Sequence, residues 1–507
     1  MKRLCLFAAA AACLALAQPQ TNSVSPQPAV APQGNPAQEL DPYLKQFVDV
    51  LTAVQSHTAD PTTPEKMIYE GAIPSMLRQL DPHTQFFDQL QFQQLKQMQD
   101  SEQKGFGSIV SVLPGQVIFL QTLPGTPSNK VGIQAGDELI AINNVAIQSL
   151  EPNQIVELLT EARQQKITAF IRRQGFSRLF QFILTPELVD APSVDRAFLL
   201  RPGYGYIRVA SWDMHTSKEL HDAIEKLSPN TLKGLVLDLR SNPGGIVKAA
   251  LDAAMMFLEP GQRILTARGR SKEVDSANVP PNAQPYHFAL SLIVNEKTAS
   301  ASEILSGALQ DHDRATIVGV PTYGKGLVQS VMPLSGGTGL AITTAFYYTP
   351  SGRTIQKPLR NSALSDTFAE KSAATLPTFK TDKGRTVTGG GGIVPDLVVP
   401  PAQPTQLEGI LDASGLMTAF ATHYLANHSP LPDQFEVTPD LLDELKVELA
   451  ARGIQPGAGE WIQESRWLKS RLQEEIVTQA RGVDKGDEIL AQRDPQVQAA
   501  LHAIEGK

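Results

Sequence analysis

The feature that most constrains the fold is an alternation of short apolar runs and helical segments between residues 203 and 345. Leu235–Leu239 is almost entirely apolar, and Leu290–Val294 is a second run of this kind. Helical periodicity follows each run, at Ile246–Leu258 and at Glu303–Gln310. Because strands that alternate with helices build layered α/β domains, we predict an α/β core here.

The remainder of the 507 residues divides around this core, and the length suggests about three domains. Residues 40–104 and 403–507 show helical periodicity, whereas residues 105–186 consist mainly of short β-type runs. We therefore predict a small β-rich module inserted before a core at 187–402, with a polar surface excursion at 358–392. The segments predicted for the module are the strands Ile109–Leu113, Val117–Leu120, Leu139–Ile142, Ile167–Ile171 and Phe180–Leu184 and the helix Pro152–Arg163.

The beginning of the chain has the pattern of an export signal. Two basic residues precede the uncharged apolar run Leu4–Leu16, and Ala15-Leu16-Ala17 fits the small-x-small cleavage pattern. The run is shorter than the roughly 20 residues of a membrane span. We predict a signal peptide at 1–17 and an exported protein, periplasmic or secreted. The alternative is an uncleaved segment that tethers the protein to the membrane.

Composition excludes several classes of protein. The two cysteines, Cys5 and Cys13, lie in the predicted signal, which excludes a disulfide scaffold and a multi-cysteine zinc site. Residues 18–39 are rich in proline and glutamine and are predicted to be a flexible linker. The net charge of −8, without a basic cluster, argues against nucleic-acid binding.

A candidate nucleophile follows the second apolar strand. The polar turn from Thr298 to Glu303 joins this strand to a helix and contains Ser300 and Ser302. A serine on such a turn is held off the sheet, and the first N–H groups of the helix point towards whatever it attacks. The alternative is that both serines only cap the helix.

A candidate general base lies 25 residues after Ser300, in Gly324-Lys325-Gly326. A lysine acts as a base only when it is neutral, and apolar runs on both sides of Lys325 favour its burial. In an extended strand Gln329 shares a face with Lys325 and would orient the amine. The alternative is an ordinary surface lysine. Gly319–Lys325 also matches the first seven positions of a P-loop, but Gly326 replaces the magnesium-binding Ser or Thr, so we do not expect ATP binding.

The loop Asp238–Gly245 follows the first apolar strand and ends in Gly244-Gly245. Two glycines permit a turn that presents backbone N–H groups to a developing oxyanion. An ordinary glycine-assisted loop is the alternative, and Asp238 is expected to pair with Arg240 or to cap the loop. We interpret Asp311-His312-Asp313 as a solvated helix end rather than a metal site. The pattern leaves a serine–histidine–aspartate triad open.

Several motifs, in this order and spacing, resemble the carboxyl-terminal processing peptidases, also called tail-specific proteases. The resemblance covers residues from about 40 to 400. The motifs are Leu80-Asp81-Pro82-His83-Thr84, Gly132–Ile140, Asp238–Gly245, Ser300-Ala301-Ser302-Glu303-Ile304, Gly324-Lys325-Gly326, Tyr347–Arg353 and Gly392–Asp396.

The resemblance implies an α/β catalytic core of the ClpP/crotonase type, an inserted PDZ domain and helical N- and C-terminal regions. It also implies a serine endopeptidase that cleaves proteins near their carboxyl termini without a metal or a cofactor. In that family's pattern Ser300 matches the nucleophile, Lys325 the general base and Gln329 its supporting residue. Ala301 and one of Gly244 or Gly245 match the oxyanion-hole donors.

The PDZ domain implied by the resemblance would capture free carboxyl termini of protein or peptide substrates. Its carboxylate loop would consist of Gly105, Phe106, Gly107, Ser108 and Ile109, with strand addition by the captured tail. The resemblance further implies a homodimer formed through the helical terminal regions, and it leaves an adaptor protein open. A catalytically silent PDZ scaffold is the alternative function.

Overall fold

The structure, a computed structural model, describes residues 36–60, 62–99, 102–270, 274–359 and 376–505. The predicted signal at 1–17 therefore lies outside the described residues, together with most of the predicted linker. A helix begins at Pro36, before the predicted end of that linker at residue 39.

The N-terminal region is largely helical, as predicted. Its elements are helix α1 (Pro36–His57), a π-helix (Lys66–Ala72), helix α2 (Ile73–Arg78), strand β1 (Gln85–Phe87) and helix α3 (Gln89–Gln99). Strand β1 leaves the helical region and pairs antiparallel with residues 339–341 of the core. The turn just before β1 is thereby fixed against the core.

The β-rich module begins and ends in a two-stranded ribbon. Its elements are β2 (Glu102–Gly105), β3 (Ser108–Leu113), β4 (Gln116–Thr122), α4 (Pro127–Lys130), β5 (Glu138–Ile142), β6 (Val145–Ala146), α5 (Pro152–Ala162), β7 (Ile167–Arg172), β8 (Phe180–Leu184) and β9 (Glu187–Asp190). The main sheet has the order β3-β4-β5-β7-β8, and β2 pairs with β9 where the chain enters and leaves the module. The five strands and the helix predicted from alternation are confirmed.

The core has the predicted alternation of strands and helices. Its elements are β10 (Val194–Arg201), β11 (Tyr204–Val209), α6 (Thr216–Lys226), β12 (Gly234–Asp238), α7 (Val247–Met255), β13 (Arg263–Gly269), β14 (Val274–Asn278), β15 (Ala289–Val294), α8 (Ala301–Asp311), β16 (Thr316–Gly319), β17 (Leu327–Pro333), β18 (Gly339–Tyr348), β19 (Thr378–Lys380), β20 (Thr386–Thr388) and β21 (Leu397–Val398).

Two sheets organise the core. The larger has the order β10-β11-β12-β15-β16-β21, and every pair after the first is parallel. The smaller sheet is antiparallel, with the order β1-β18-β13-β14 and β17 paired to β18. The carboxyl ends of β12 and β15 meet at one edge of the larger sheet, so the two loops that follow them lie together there.

The C-terminal region is helical, as predicted, and consists of α9 (Gln406–Ser414), α10 (Leu416–Asn427), α11 (Pro439–Ala451), α12 (Ala458–Arg481), α13 (Val483–Arg493) and α14 (Pro495–His502). Helix α14 has apolar residues at helical spacing, and Val497 and Leu501 pack against Val236 and Ile293 of the larger sheet. Helices α6, α7 and α8 contribute to the core on the opposite face, so the sheet is covered on both sides.

One prediction is corrected. The interpretation of Asp311-His312-Asp313 as a solvated helix end is wrong, because Asp311 is buried and pairs with the buried Arg353 at 2.8 Å. In the described part of the predicted surface excursion, from residue 376, residues 382–386 are exposed, and Arg385 forms ion pairs with Asp313 and Asp396. Residues 360–375 lie outside the description.

Candidate active site

Ser300 ends the loop after β15 and immediately precedes α8. Its backbone lies at φ 56° and ψ −115°, a strained conformation for a residue with a side chain. The residue is fully buried, and within the described part of the chain its hydroxyl oxygen has no hydrogen-bond partner. Ser302 differs, because its hydroxyl oxygen accepts a hydrogen bond from Trp212 Nε1 at 2.8 Å. In this turn Ser302 is therefore hydrogen-bonded to the core, whereas the Ser300 hydroxyl has no hydrogen-bond partner among the described residues.

Glu303, in the first turn of α8, joins the Ser300 loop to the Lys325 loop. Its carboxylate accepts hydrogen bonds from the main-chain N–H groups of Ser300 (2.9 Å), Gly324 (2.7 Å) and Lys325 (2.9 Å), and from the Thr322 hydroxyl. Burial raises the pKa of Glu303, although these hydrogen bonds act in the opposite direction. One side chain thus fixes the backbone of both candidate catalytic residues.

Tyr347 holds the same two residues from the other side. Its hydroxyl donates to the main-chain carbonyl oxygens of Ser300 (3.0 Å) and Lys325. The side chain is buried on β18, in the smaller sheet. The relative position of Ser300 and Lys325 is therefore set by α8 and by β18 together.

Lys325 is 2% exposed and lies just before β17. Its Nζ donates to Gln329 Oε1 at 2.8 Å, the contact predicted from their shared face on an extended strand. Gln329 is fully buried, and its Nε2 donates to the main-chain oxygen of His83 at 2.6 Å. A neutral amide, fixed at its far end by the N-terminal region, therefore orients the amine.

The turn Asp81–Thr84 is held by its own carboxylate. Asp81 Oδ1 accepts from the N–H groups of His83 (2.7 Å) and Thr84 (2.9 Å), and Oδ2 accepts from the Thr84 hydroxyl. Burial, and after it the positive charge of Lys325, lower the pKa of His83 to about 4, although Asp81 opposes the shift. His83 is accordingly neutral at physiological pH.

The loop after β12 lies directly against Ser300. A methyl group added at Gly244 would lie 2.8 Å from Ser300 Cβ, and one added at Gly245 would lie 1.9 Å from the Trp212 oxygen. Gly244 N–H donates to Asn242 Oδ1 at 2.9 Å. Among the described residues, the N–H groups of Gly245 and Ala301 make no hydrogen bond. Neither of these N–H groups is therefore used as a donor within the described part of the chain.

The strand end before this loop carries an ion pair. Asp238 is buried and accepts from Arg240 Nη2 at 2.6 Å and from the Tyr206 hydroxyl at 2.8 Å, so one of the two predicted roles of Asp238 is observed. Burial alone would raise the pKa of Asp238, but the charge and hydrogen bonds of Arg240 hold it below its usual value.

The predicted carboxylate loop lies in the β-rich module and borders a separate pocket. Gly105, Phe106, Gly107, Ser108 and Ile109 all line this pocket. Its other walls are mostly apolar, with Lys104 and Arg163 as cationic members. In the described part of the chain, the N–H groups of Phe106 and Gly107 make no hydrogen bond. The structure thus contains two distinct sites, one at Ser300 and one in the module.

Comparison with known proteins agrees with this geometry. Residues 203–360 match peptidase family S41, and residues 119–173 match a PDZ domain. A carboxy-terminal-processing protease of Bartonella bacilliformis is 32% identical over 329 residues, which is 64% of this chain and 74% of that protein. The chain belongs to peptidase family S41, together with the carboxy-terminal processing proteases. It is accordingly a serine peptidase with a PDZ domain, acting on protein or peptide substrates.

A second curated relative and one solved structure are also similar to this S41 peptidase. A carboxyl-terminal-processing protease of Synechocystis sp. is 35% identical over 293 residues, covering 56% of this chain and 68% of that protein. The solved photosystem II D1 C-terminal processing protease is 24% identical, with a TM-score of 0.38 over 72% of this chain and 94% of that chain.

Some contacts in the site of this S41 peptidase have little local signal in the sequence. Serine followed three residues later by glutamate predicts the bond from Ser300 N–H to Glu303, since this is the spacing of a capping box. Nothing local to the sequence indicates that the same carboxylate binds Gly324 and Lys325. The P-loop-like segment ending at Lys325 leads into strand β17, whereas a P-loop leads into a helix.

The described residues contain no group of three or more His, Cys, Asp or Glu side chains arranged to hold a metal ion. No helix within the described ranges has both the length and the apolar character of a membrane span.

Proposed function

We propose that this S41 peptidase is an exported endopeptidase that cleaves proteins near their carboxyl termini through a Ser300–Lys325 dyad. The observation that carries the proposal is the Ser300 hydroxyl, buried on a strained turn without a hydrogen-bond partner among the described residues. A buried hydroxyl normally has a partner, and an exception at a strained turn indicates a functional group.

The Ser300 oxygen attacks the substrate carbonyl carbon while neutral Lys325 takes the hydroxyl proton. The amine then donates this proton to the leaving nitrogen as the peptide bond breaks, which leaves an acyl-enzyme. Water, deprotonated by Lys325, attacks the acyl carbon and releases the new carboxyl terminus with regeneration of the Ser300 hydroxyl. Gln329 orients the amine and, being uncharged, does not favour the ammonium form as a carboxylate would.

The oxyanion is bound by the N–H groups of Ala301 and Gly245. Of the two glycines that match the family's pattern, Gly245 is favoured, because the Gly244 N–H already donates to Asn242. Loss of one oxyanion-hole donor lowers turnover by a factor on the order of 10²–10³.

Substrates are captured through their carboxyl ends by the PDZ domain. The unbonded N–H groups of Phe106 and Gly107 and the nearby Lys104 and Arg163 suit a carboxylate, and strand β3 suits addition of an extended tail. The apolar pocket below favours a terminal residue with an apolar side chain. The reaction requires no metal or organic cofactor.

The nucleophile is tested by cleavage of an unfolded protein by the native enzyme and by Ser300→Ala. We expect no cleavage by this variant, and near-native cleavage by Ser306→Ala, which removes another buried hydroxyl from helix α8. Equal cleavage by the native enzyme and Ser300→Ala excludes this mechanism. No cleavage by either protein, with folding intact, favours the alternative of a PDZ scaffold without activity.

The general base is tested by the pH dependence of kcat/KM. Activity should rise with pH as the Lys325 amine loses its proton, and Lys325→Met should be inactive. A flat profile from mildly acidic to alkaline pH, with folding intact, would exclude Lys325 as the base.

Export and assembly complete the proposal. Removal of residues 1–17 would leave Gln18 as the first residue of the secreted or periplasmic protein, whereas an intact N-terminus would indicate a tethered form.

Helix α1 carries a series of exposed apolar side chains that suits a homodimer contact: Leu40, Tyr43, Leu44, Phe47, Val48, Val50 and Val54. The substitution Phe47→Glu should convert the dimer to a monomer in light scattering, while Val447→Asp, on the exposed surface of α11, should not. An adaptor that acts on this surface or on the PDZ domain is compatible with the same proposal.

A further inference from the structure

The C-terminal helical region contacts the strand end that precedes the oxyanion loop. Arg240 Nη1 donates to Asp494 Oδ2 at 2.6 Å and to Gln496 Oε1 at 3.0 Å, while its other nitrogens bind Asp238. The Arg240 and Asp494 side chains are 22% and 19% exposed. Arg240 is therefore held between its own strand and a segment more than 250 positions later in the chain.

Asp494 is itself fixed by a second set of contacts. Its other oxygen, Oδ1, accepts from the N–H groups of Gln496 (2.8 Å) and Val497 (3.2 Å) and so caps helix α14. That helix is anchored to the larger sheet by buried apolar residues, among them Val497 and Leu501. The carboxylate that binds Arg240 is thus held by a helix packed rigidly on the sheet.

Only a short segment separates Arg240 from the candidate oxyanion donor. Arg240 N–H donates to Asp238 Oδ1 at 2.9 Å, and Asn242 Nδ2 donates to the Val209 oxygen at 2.9 Å. Gly244 then packs against Ser300, and the Gly245 N–H follows. Because a misplacement of about 1 Å at a catalytic group can cost about 10² in rate, the placement of this short segment bears on the Gly245 donor.

We propose that Asp494 is a positioning residue for the peptidase reaction. It holds Arg240 at the end of β12 and thereby sets the position of the Gly245 N–H, so the C-terminal region contributes to the active site without contacting substrate. This inference rests on the proposed function, because it requires the oxyanion to lie at Gly245.

The test is the variant Asp494→Asn, which retains the capping oxygen but directs an amide NH₂ towards the Arg240 guanidinium. We expect kcat to fall about tenfold with KM changed less than about twofold, since the oxyanion forms only after substrate binding. The affinity of a peptide aldehyde, which forms a tetrahedral adduct with the serine, should fall by the same factor as kcat. A loss of general stability would not divide the effect in this way.

Glu505→Gln is the matched control, because Glu505 also joins the C-terminal region to the core, through Arg201 on β10, far along the chain from the oxyanion loop. It should retain native kcat. An equal fall of kcat in both variants, or an unchanged kcat and aldehyde affinity in Asp494→Asn, overturns the positioning role. The Ser300→Ala variant distinguishes failure of the proposed function from failure of the positioning role of Asp494. If Ser300→Ala still cleaves, the proposed function fails. If Ser300→Ala is inert while Asp494→Asn is fully active, only the positioning role fails.

Discussion

At the scale of single residues, the loops of Ser300 and Lys325 are held by buried side chains that are hydrogen-bonded, chiefly Glu303 and Gln329. Glu303 has no exposure to solvent, yet four donors surround its two oxygens, and an acceptor-only carboxylate suits four donors better than an amide would. Gln329 needs both an acceptor and a donor, which an amide supplies. Its Oε1 accepts from Lys325 Nζ, and its Nε2 donates to the main-chain oxygen of His83. Each polar side chain near Ser300 thus has a chemical type that matches its partners.

His83 gives the site a defined sensitivity to acid. Its pKa is about 4 in the folded protein and about 6.5 in the unfolded chain, so between these values the unfolded chain binds the extra proton. Stability is therefore full above about pH 6.5 and falls as the pH drops towards 4. We expect His83→Gln to weaken this dependence by about 1–2 kcal/mol, after allowance for partial solvent screening.

The measurement is the free energy of unfolding in urea at pH 7.5 and pH 4.5. The native protein should lose more stability between these two values than His83→Gln does. The matched control is His57→Gln, since His57 is exposed at the end of α1 and should behave like the native protein. Identical pH dependence in the native protein and His83→Gln would show that the buried imidazole is not responsible.

The residue-scale contacts differ in how far the sequence predicts them. The Lys325–Gln329 bond was predicted from strand periodicity and is observed, although Lys325 lies just before β17 and only Gln329 lies within it. The bonds from Gln329 to His83 and from Glu303 to Gly324 join segments that are distant in the chain, and their formation depends on how the two sheets and α8 pack. The periodicity of a single segment does not predict hydrogen bonds between distant segments.

At the scale of elements, the loop after β12 has the least tolerance for change. Gly245 lies at φ 145°, which residues with a side chain rarely adopt. A Cβ atom at this position would also clash with the Trp212 oxygen at 1.9 Å. The parallel bridge between Trp212 and Gly245 fixes the loop against the chain that follows β11. The geometry of this loop thus depends on the absence of two Cβ atoms, at Gly244 and Gly245.

We expect Gly245→Ala to lower kcat/KM by a factor on the order of 10²–10³, because the methyl group displaces the loop and removes one oxyanion donor. Gly261→Ala is the matched control: Gly261 also has a positive φ, of 83°, but an added methyl group there meets no atom within 4 Å. It should cost about 1–2 kcal/mol of stability, because a side chain is disfavoured at positive φ, and should leave kcat/KM unchanged. Comparable activity losses in the two variants would refute a specific role for the Gly245 loop.

Elements were predictable where the signal is local. Strands formed at the apolar runs 235–239 and 290–294 and at the β-type runs of the PDZ domain. In each case the apolar residues of the run itself indicate which side chains are buried. Strand β1 has only three residues and is stabilised by pairing with β18, so its own sequence gives little indication of it. The segment at 358–392 was predicted as polar surface from its composition, but composition does not indicate that Arg385 pairs with Asp313 and Asp396.

At the scale of the whole molecule, the C-terminal region joins the PDZ domain to the core. Val483, at the start of α13, is buried with Ile109 and Leu120 of the PDZ sheet, and its N–H donates to Gln121 Oε1 at 2.9 Å. Gly415 at the start of α10 packs against Leu113. The far end of α13 leads to Asp494 and the Arg240 contact. Strand β3, the proposed site of tail addition, therefore rests on the same helical region that holds the oxyanion loop.

This docking predicts the effect of a buried charge at Val483. In Val483→Asp the carboxylate would be buried against Ile109 and Leu120, at a cost of several kcal/mol, so the PDZ domain should separate from α13. Hydrogen exchange should then accelerate at least about tenfold in β4 and in the first turn of α13, while β12 and β15 keep their native protection. Val447→Asp places the same charge on the exposed surface of α11 and should change neither region. Unaltered exchange in β4 would mean that the PDZ domain is held by its β2–β9 ribbon alone, whereas acceleration that extends to β12 would mean that docking and core unfold as one cooperative unit.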